Sequence, residues 1–329
     1  MTDTRILVTG GAGFIGSHYV RTLLGPDGPG DVGVTVLDEL TYAGNPANLD
    51  EVRDHPGFGF VHGDICDAGL AARLMARHDQ VVHFAAESHV DRSIDGGAAF
   101  VRTNVLGTHT LVHAAHEAGV GTFVHVSTDE VYGSIDEGSW TETEPLAPNS
   151  PYSASKASSD LIALAHHRTH GLDVRVTRCS NNYGHHHFPE KVIPLFVTNL
   201  LEGRPVPLYG DGAHVRDWLH IDDHVQGIEL VRTKGRPGEV YNIGGGTELS
   251  NKELTRLLLE ACDADWDTDV THVEDRKGHD RRYSVDCTKI REELGYAPRK
   301  DFRTGLAETV QWYRENRSWW EPLKERAAL

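Results

Sequence analysis

Thr9-Gly10-Gly11-Ala12-Gly13-Phe14-Ile15-Gly16 follows the apolar run Arg5-Ile6-Leu7-Val8 and leads into Ser17-His18-Tyr19-Val20, so a strand, a glycine turn and a helix start succeed one another without a break. Glycines at 10, 13 and 16 keep side chains away from a place where a pyrophosphate would approach the backbone. The helix that begins there offers unpaired N–H groups and a positive dipole end. Taken alone the run is also compatible with an ordinary turn, and the surrounding pattern has to decide. Outward from it, β-branched stretches at Arg5 to Thr9, Val32 to Asp38, Phe58 to Gly63, Gln80 to Ala85, Thr122 to Ser127 and Asp173 to Cys179 read as strands. Between them Gly13 to Leu24, Ala68 to Ala76, Ala98 to Ala118 and Tyr152 to His170 read as helices. Parallel strands joined by crossover helices produce this alternation, which predicts an α/β, doubly wound parallel sheet of Rossmann type.

The rhythm breaks after Cys179, where glycine, proline and aromatic residues become frequent. A nucleotide-binding domain over 1–180 and a smaller substrate lobe over 181–329 are expected. Trp218 to Val231 reads as strand then helix and Val240-Tyr241-Asn242-Ile243 as a buried strand, so 218–245 is expected to return to the first domain and the two to interleave. The tail is expected to stay helical until Pro322 stops it.

Composition narrows the function classes. With 329 residues, 39% hydrophobic and 25% charged, the chain is an ordinary globular protein and neither disordered nor collagen-like. A net charge of −17, from 32 Lys+Arg against 49 Asp+Glu, repels a phosphate backbone and argues against nucleic-acid binding. Cys66, Cys179, Cys262 and Cys287 lack any CxxC spacing, so reduced thiols in the cytoplasm are expected and no metal site is. Met1-Thr2-Asp3-Thr4 runs straight into the first strand, which leaves no room for a secretory leader, and no apolar window is long enough for a membrane span.

Asp38 closes the second strand about 20 residues beyond the glycines, where a carboxylate accepts from an adenosine ribose. It would repel a 2′-phosphate; Glu39 follows, with no Arg or Lys in the stretch after it, so NAD is favoured over NADP. A solvated strand-end carboxylate is the bland alternative. Phe14 and Ile15 beside the glycines, and Leu40 and Thr41 beyond Asp38, are assigned to the same site. Asp64-Ile65, after the third strand, could hold the adenine, the acid by its exocyclic amine and the isoleucine by its ring. Tyr152-Ser153-Ala154-Ser155-Lys156 opens a helix after Pro151, and its spacing puts phenol and ammonium on one face. A cation there stabilises phenolate and lowers the tyrosine pKa from its usual ~10, making a base for an alcohol whose carbon surrenders hydride.

Gly10, Gly13 and Gly16 with Tyr152 and Lys156 resemble the extended short-chain dehydrogenase/reductase family. More narrowly, His83-Phe84-Ala85-Ala86-Glu87-Ser88-His89-Val90-Asp91-Arg92-Ser93 and Ser127-Thr128-Asp129-Glu130-Val131-Tyr132-Gly133 are similar to its nucleotide-sugar dehydratases. Asn181-Asn182-Tyr183-Gly184, Pro189-Glu190-Lys191, Arg216-Asp217-Trp218 and Lys277-Gly278-His279-Asp280-Arg281-Arg282-Tyr283 extend the likeness along essentially the whole chain. The resemblance implies an NAD-dependent lyase acting on dTDP-glucose: oxidation at C4, loss of water between C5 and C6, and return of hydride to C6 to give a 4-keto-6-deoxy sugar. It implies that Glu130 takes the C5 proton, Asp129 protonates the leaving hydroxyl, and Thr128 aligns O4 with Tyr152. Elimination beside a ketone needs such an acid and base, and adjacent carboxyls raise one another's proton affinity.

The resemblance further implies that Phe84, Ala85, Ala86, Ser88, Thr103 and Asn182 lie along the nicotinamide half of the cofactor, with Ser88 and Asn181 facing the sugar. Lys191, Arg216, Arg276, Lys277, Arg281 and Arg282 invert the local charge for a diphosphate. Arg216, Arg281 and Asn251 are expected on that diphosphate, and His279 and Tyr283 at the nucleotide end. The chain departs from the family pattern at His185-His186-His187, expected to form a loop near the sugar pocket. A homodimer joined through helices at Ala98 to Ala118 and Tyr152 to His170 is implied, since Val101, Val105, Leu111, Val112, Leu161, Ile162, Leu164 and Ala165 put apolar surface on more than one face. Two alternatives stay open: a nucleotide-sugar 4-epimerase, which needs no acid and base for dehydration, and a non-catalytic NAD-binding scaffold.

Overall fold

Ile6, Leu7 and Val8 are all fully buried, so the strand that carries them is covered on both faces, as strands of parallel sheets are. The structure, a computed structural model, describes residues 4–327. Its strands are β1 (Thr4–Thr9), β2 (Val32–Asp38), β3 (Phe58–His62), β4 (Gln80–His83), β5 (Thr122–Thr128), β6 (Val174–Cys179), β7 (Asn181–Tyr183), β8 (Val206–Tyr209), β9 (Val215–His220), β10 (Val240–Ile243), β11 (Glu248–Ser250) and β12 (Val270–Val273). The helices are α1 (Phe14–Leu24), α2 (Ala68–Met75), α3 (Val90–Phe100), α4 (Thr108–Ala118), α5 (Pro151–His170), α6 (Val192–Leu201), α7 (Ile221–Lys234), α8 (Asn251–Ala261), α9 (Trp266–Asp269), α10 (Thr288–Leu294), α11 (Phe302–Glu315) and α12 (Arg317–Ala327).

Seven strands form one parallel sheet in the order β10-β6-β5-β4-β1-β2-β3. The chain moves outward from β1 to β3, then restarts at β4 and moves the other way. The reversal between β1 and β4 opens a crevice at the carboxyl ends of the strands. One face of the sheet packs on α1 and α7 around Ile6, Val8, Tyr19, Val225 and Ile228; the other packs on α2, α4 and α5 around Leu7, Leu111, Phe123 and Ala163. A third core, built on Phe196, Trp218, Leu254, Leu306 and Trp320, belongs to the second lobe. Not only α7 and β10 but also Ile290, Leu294 and Tyr296 join the first core, so the returning chain is longer than 218–245. Among the described residues no helix is long and apolar enough to cross a membrane.

Two elements differ from the sequence reading. The expected helix over Ala98 to Ala118 begins earlier, is interrupted at Gly96, and passes through a π-helical turn over Val101–Gly107 before α4. That turn aims Asn104 inward, where its side chain donates to Glu87 O at 3.0 Å and Ser155 Oγ at 2.8 Å and accepts from Glu87 N at 2.8 Å. Nor does Pro322 end the tail: it lies inside α12. The carbonyl it deprives of a partner belongs to exposed Ser318, which water can satisfy, while Trp320 and Leu323 on either side are buried. Tertiary burial outweighs the one lost bond.

Trp320 is fully buried and donates Nε1 to Tyr313 O at 2.7 Å. Trp320→Ala is expected to cost roughly 3–5 kcal/mol in chemical unfolding; a loss under about 1 kcal/mol would contradict this packing of α12.

Candidate active site

A cleft of about 1670 Å³ runs along the crevice between the sheet and the second lobe. At one end lies the turn between β1 and α1. Gly10 sits at φ +70, and a Cβ there would stand 2.6 Å from Ala85 N; one on Gly16 would meet Gly10 O at 2.3 Å. Helix α1 has no side-chain cap and no acid in its first turn, so its N–H groups stay available to an anion. Asp38 accepts from Ala12 N at 2.9 Å and Leu40 N at 2.8 Å, one bond per oxygen, which fixes the carboxylate and leaves lone pairs for ribose hydroxyls. Gly10, Gly13, Phe14, Ile15, Gly16, Asp38, Thr41, Ile65, Phe84, Ala85, Ala86, Ser88, Thr103 and Asn182 all line the cleft. Two expected cofactor residues do not: Leu40 contributes its backbone to Asp38, and the Asp64 carboxylate turns to Arg102 at 2.6 Å. The Arg102 that draws it away belongs to the π turn, which the sequence reading lacked. This cradle fits a dinucleotide. Asn182 Oδ1 and Asn181 Oδ1 are buried without partners beside it, as groups awaiting a ligand would be.

At the carboxyl end of β5 the short turn Asp129–Tyr132 carries the carboxyl pair, with Thr128 Oγ1 accepting from Glu130 N at 3.3 Å. Burial, with the charges of Glu130 and Asp217 behind it, raises the Asp129 carboxyl well above the usual range, and its Oδ2 has no partner. Burial also raises Glu130, but Arg216 and Lys191 pull it back, and Ser153 Oγ donates to it at 3.3 Å. Both carboxyls are therefore raised; Arg216 opposes the rise at each, and Lys191 opposes it at Glu130 as well. Tyr152 and Lys156 line the same cleft from α5. The expectation that Lys156 lowers the tyrosine pKa is not met in the protein alone: burial and Glu130 raise it, and the lowering contact is a hydrogen bond with Thr128. Lys156 donates Nζ to Val126 O at 2.8 Å, and burial brings it down to about 8.

The far end is basic and aromatic. Arg216 lies 4.2 Å over the Tyr283 ring and donates to Asp280 O at 2.9 Å, while Lys191 donates to Ser88 O at 2.7 Å. Asn181, Asn251, His279 and Tyr283 share the lining. Arg281 is a correction: it lies outside the cleft, half exposed and paired with Asp211 at 3.0 and 3.1 Å, whereas Arg276 reaches the lining. His279 stacks on His214 at 3.7 Å, and both approach Asp275. Near-parallel rings send their lone pairs along parallel planes and not to one ion, so the trio is poorly disposed as a metal centre. Of the histidine triplet only His187 reaches the cleft, stacked on Phe14 at 4.1 Å; His185 and His186 pack on His18, Trp312 and Trp319. The triplet is thus mostly a joint between the lobes. Asn104 is the residue whose place the sequence did not assign, whereas Arg276 reaches the lining as one of the basic residues expected to invert the local charge.

The profile of the family described as GDP-mannose 4,6 dehydratase matches residues 7–309. A dTDP-glucose 4,6-dehydratase of Streptomyces griseus is 68% identical over 326 residues, covering 99% of each chain. One of Neisseria meningitidis serogroup B is 48% identical, covering 96% of this chain and 95% of its own. A dTDP-glucose 4,6-dehydratase of Streptomyces venezuelae, solved with NAD and dTDP bound, superposes with TM-score 0.95 at 66% identity over 97% of this chain and 99% of its own. A UDP-glucose 4-epimerase of Thermotoga maritima follows at TM-score 0.87 and 34% identity, covering 94% and 99%.

The site makes one spectroscopic prediction. At pH 7 the wild-type protein is expected to show a protonated-carboxyl C=O stretch that Asp129→Asn removes. Identical infrared difference spectra would mean that Asp129 is ionised.

Proposed function

The chain belongs to the GDP-mannose 4,6-dehydratase family, and from that premise we propose that it is an NAD-dependent hydro-lyase converting dTDP-glucose to dTDP-4-keto-6-deoxyglucose. NAD, when bound, supplies the acceptor for the C4 hydride, returns that hydride to C6, and so ends unchanged. Tyr152 takes the O4 proton, with Thr128 holding that oxygen and the Lys156 cation offsetting part of the burial and of the Glu130 charge that raise the phenol. Glu130 removes the C5 proton, made acidic by the new ketone, and Asp129 protonates the departing O6 so that water leaves. Glu130 then gives its proton back to C5 as hydride reaches C6. The proton gained by Tyr152 balances the one lost by Asp129, and solvent exchange restores both.

The observation that carries this reading is the adjacent Asp129–Glu130 pair, both carboxyls raised by their surroundings, within the cleft that carries Tyr152 and Lys156. A 4-epimerase has no use for it. Arg216, Arg276, Lys191 and Asn251 are proposed on the diphosphate, His279 and Tyr283 at the base, and Ser88 and Asn181 at the hexose. Gly10, Gly13, Gly16, Asp38, Ile65, Thr103 and Asn182 are proposed to hold NAD. Four free cysteines support a reducing, cytoplasmic setting. With dTDP-glucose deuterated at C4, the label is expected on C6 of a product lighter by one water. Label retained on C4 of an epimer, or no turnover at all, would overturn the assignment.

A homodimer is part of the proposal. Val101, Leu106 and Leu161 are 58%, 49% and 55% exposed on adjoining faces of the π turn and α5. Ala154, Ser158, Leu161 and Ala165 continue one stripe at helical spacing, whereas Leu111, Val112 and Leu164 are buried within the chain. Leu161→Asp is expected to convert a dimer into a monomer by light scattering; a variant still dimeric at the wild-type dissociation constant would place the interface elsewhere.

A further inference from the structure

One turn beyond Lys156, on the same face of α5, stands Asp160, a carboxylate with no solvent exposure. Its Oδ2 accepts from Arg178 Nε on β6 at 2.9 Å, and its Oδ1 lies 3.2 Å from His125 Nε2 on β5. Arg178 donates onward to the Tyr132 hydroxyl at 2.8 Å, which donates to Asn242 Oδ1 on β10 at 2.9 Å. Nothing in this chain of contacts lines the cleft. Burying such a network costs several kcal/mol per ion unless it is satisfied, and the mechanism above makes no use of it.

The titratable groups facing this region are Lys156 and Asp160 from α5, His83 from β4, His125 from β5, Arg178 and Cys179 from β6, and Tyr132. Burial lowers both histidines and raises the Cys179 thiol to about 12 and the Tyr132 phenol to about 12, so all four are neutral at physiological pH. Two cations and one anion remain. Burial alone would raise Asp160, but Arg178 and His125 draw it down to about 2, so it stays charged throughout. Lys156 is the weak member: its only cleft-independent charged neighbour of opposite sign is Asp160, which works against the burial that drives its proton off.

We propose that Asp160 is a positioning residue for the hydride step, its carboxylate held by Arg178 one helical turn from Lys156 so that the ammonium stays charged and Tyr152 can serve as base. This rests on the reading of Tyr152 and Lys156 given above. Asp160 touches neither substrate nor cofactor; it acts through Lys156.

The test is the pH profile of kcat for the NAD-loaded enzyme with saturating dTDP-glucose, from about pH 6 to about pH 10. The wild type is expected to lose activity as Lys156 releases its proton near 8. Asp160→Asn is expected to move that falling limb toward acid by about one pH unit or more, so that its deficit grows roughly tenfold across the interval and shrinks again at low pH. Asp160→Glu keeps the charge and is expected to keep the limb where it is, with at most a pH-independent loss. A purely structural role moves neither limb, so an Asp160→Asn profile parallel to wild type overturns the proposal. Where Asp160→Asn does not fold, Asp160→Ser, neutral and smaller, is read in its place: an acid-shifted limb supports the proposal and a limb parallel to wild type overturns it, as does a limb displaced in Asp160→Glu despite the retained charge. Wild-type turnover in the same assay separates this outcome from failure of the dehydratase reading.

Discussion

Holding two carboxyl groups side by side, one buried and one half-buried, is the constraint on which the rest of this structure depends. Asp129 and Glu130 sit at the carboxyl end of β5, where the sheet walls them off, and an unpaired ion there would cost several kcal/mol. The molecule does not neutralise them equally. Arg216 opposes the rise of both and Lys191 that of Glu130, while Asp129 also keeps an unpartnered oxygen and each carboxyl has a negative neighbour, Asp217 for Asp129 and Asp280 for Glu130. The second lobe thus contributes the charges of Arg216, Lys191, Asp217 and Asp280 to adjacent positions of one short turn.

The same division runs through the rest of the site. Asp160 on α5 pairs with Arg178 of β6 away from the cleft, while the glycine turn and Asp38 line it. Each of these groups is fixed by short backbone or side-chain bonds before any ligand arrives: Asp38 by two amides, Lys156 by the Val126 carbonyl, and Lys191 by the Ser88 carbonyl. Preorganised groups of this kind need little rearrangement when charge develops.

What could be read from the sequence was whatever is written in neighbouring residues. The glycine turn, the acid after β2, the Tyr152–Lys156 spacing and the Thr128-Asp129-Glu130 run each depend on local chain direction, and the folded chain brings them to one cleft. Contacts between distant segments were not legible. Arg276 and Arg281 are alike as letters, and only the fold turns one into the cleft and gives the other to Asp211. Asp64 looks like an adenine acceptor until the π turn brings Arg102 to it. The pKa of Tyr152 looked like a matter of the lysine four residues on, yet burial and Glu130 dominate it. Pro322 looked like a stop because local rules cannot weigh the packing of Trp320, on the same helix, against Tyr313 of α11.

The edge strand β10 has a consequence for how the protein is made. Its residues 240–243 pair with β6, which was laid down some sixty residues earlier, across the whole length of the second lobe's first half. During synthesis the parallel sheet stays open on that side until the ribosome has delivered Ile243, with the backbone of Val176 to Cys179 unprotected in the meantime. Chains that stall or are cleaved within that interval present the bare edge of β6, and that edge is covered once Val240 to Ile243 dock.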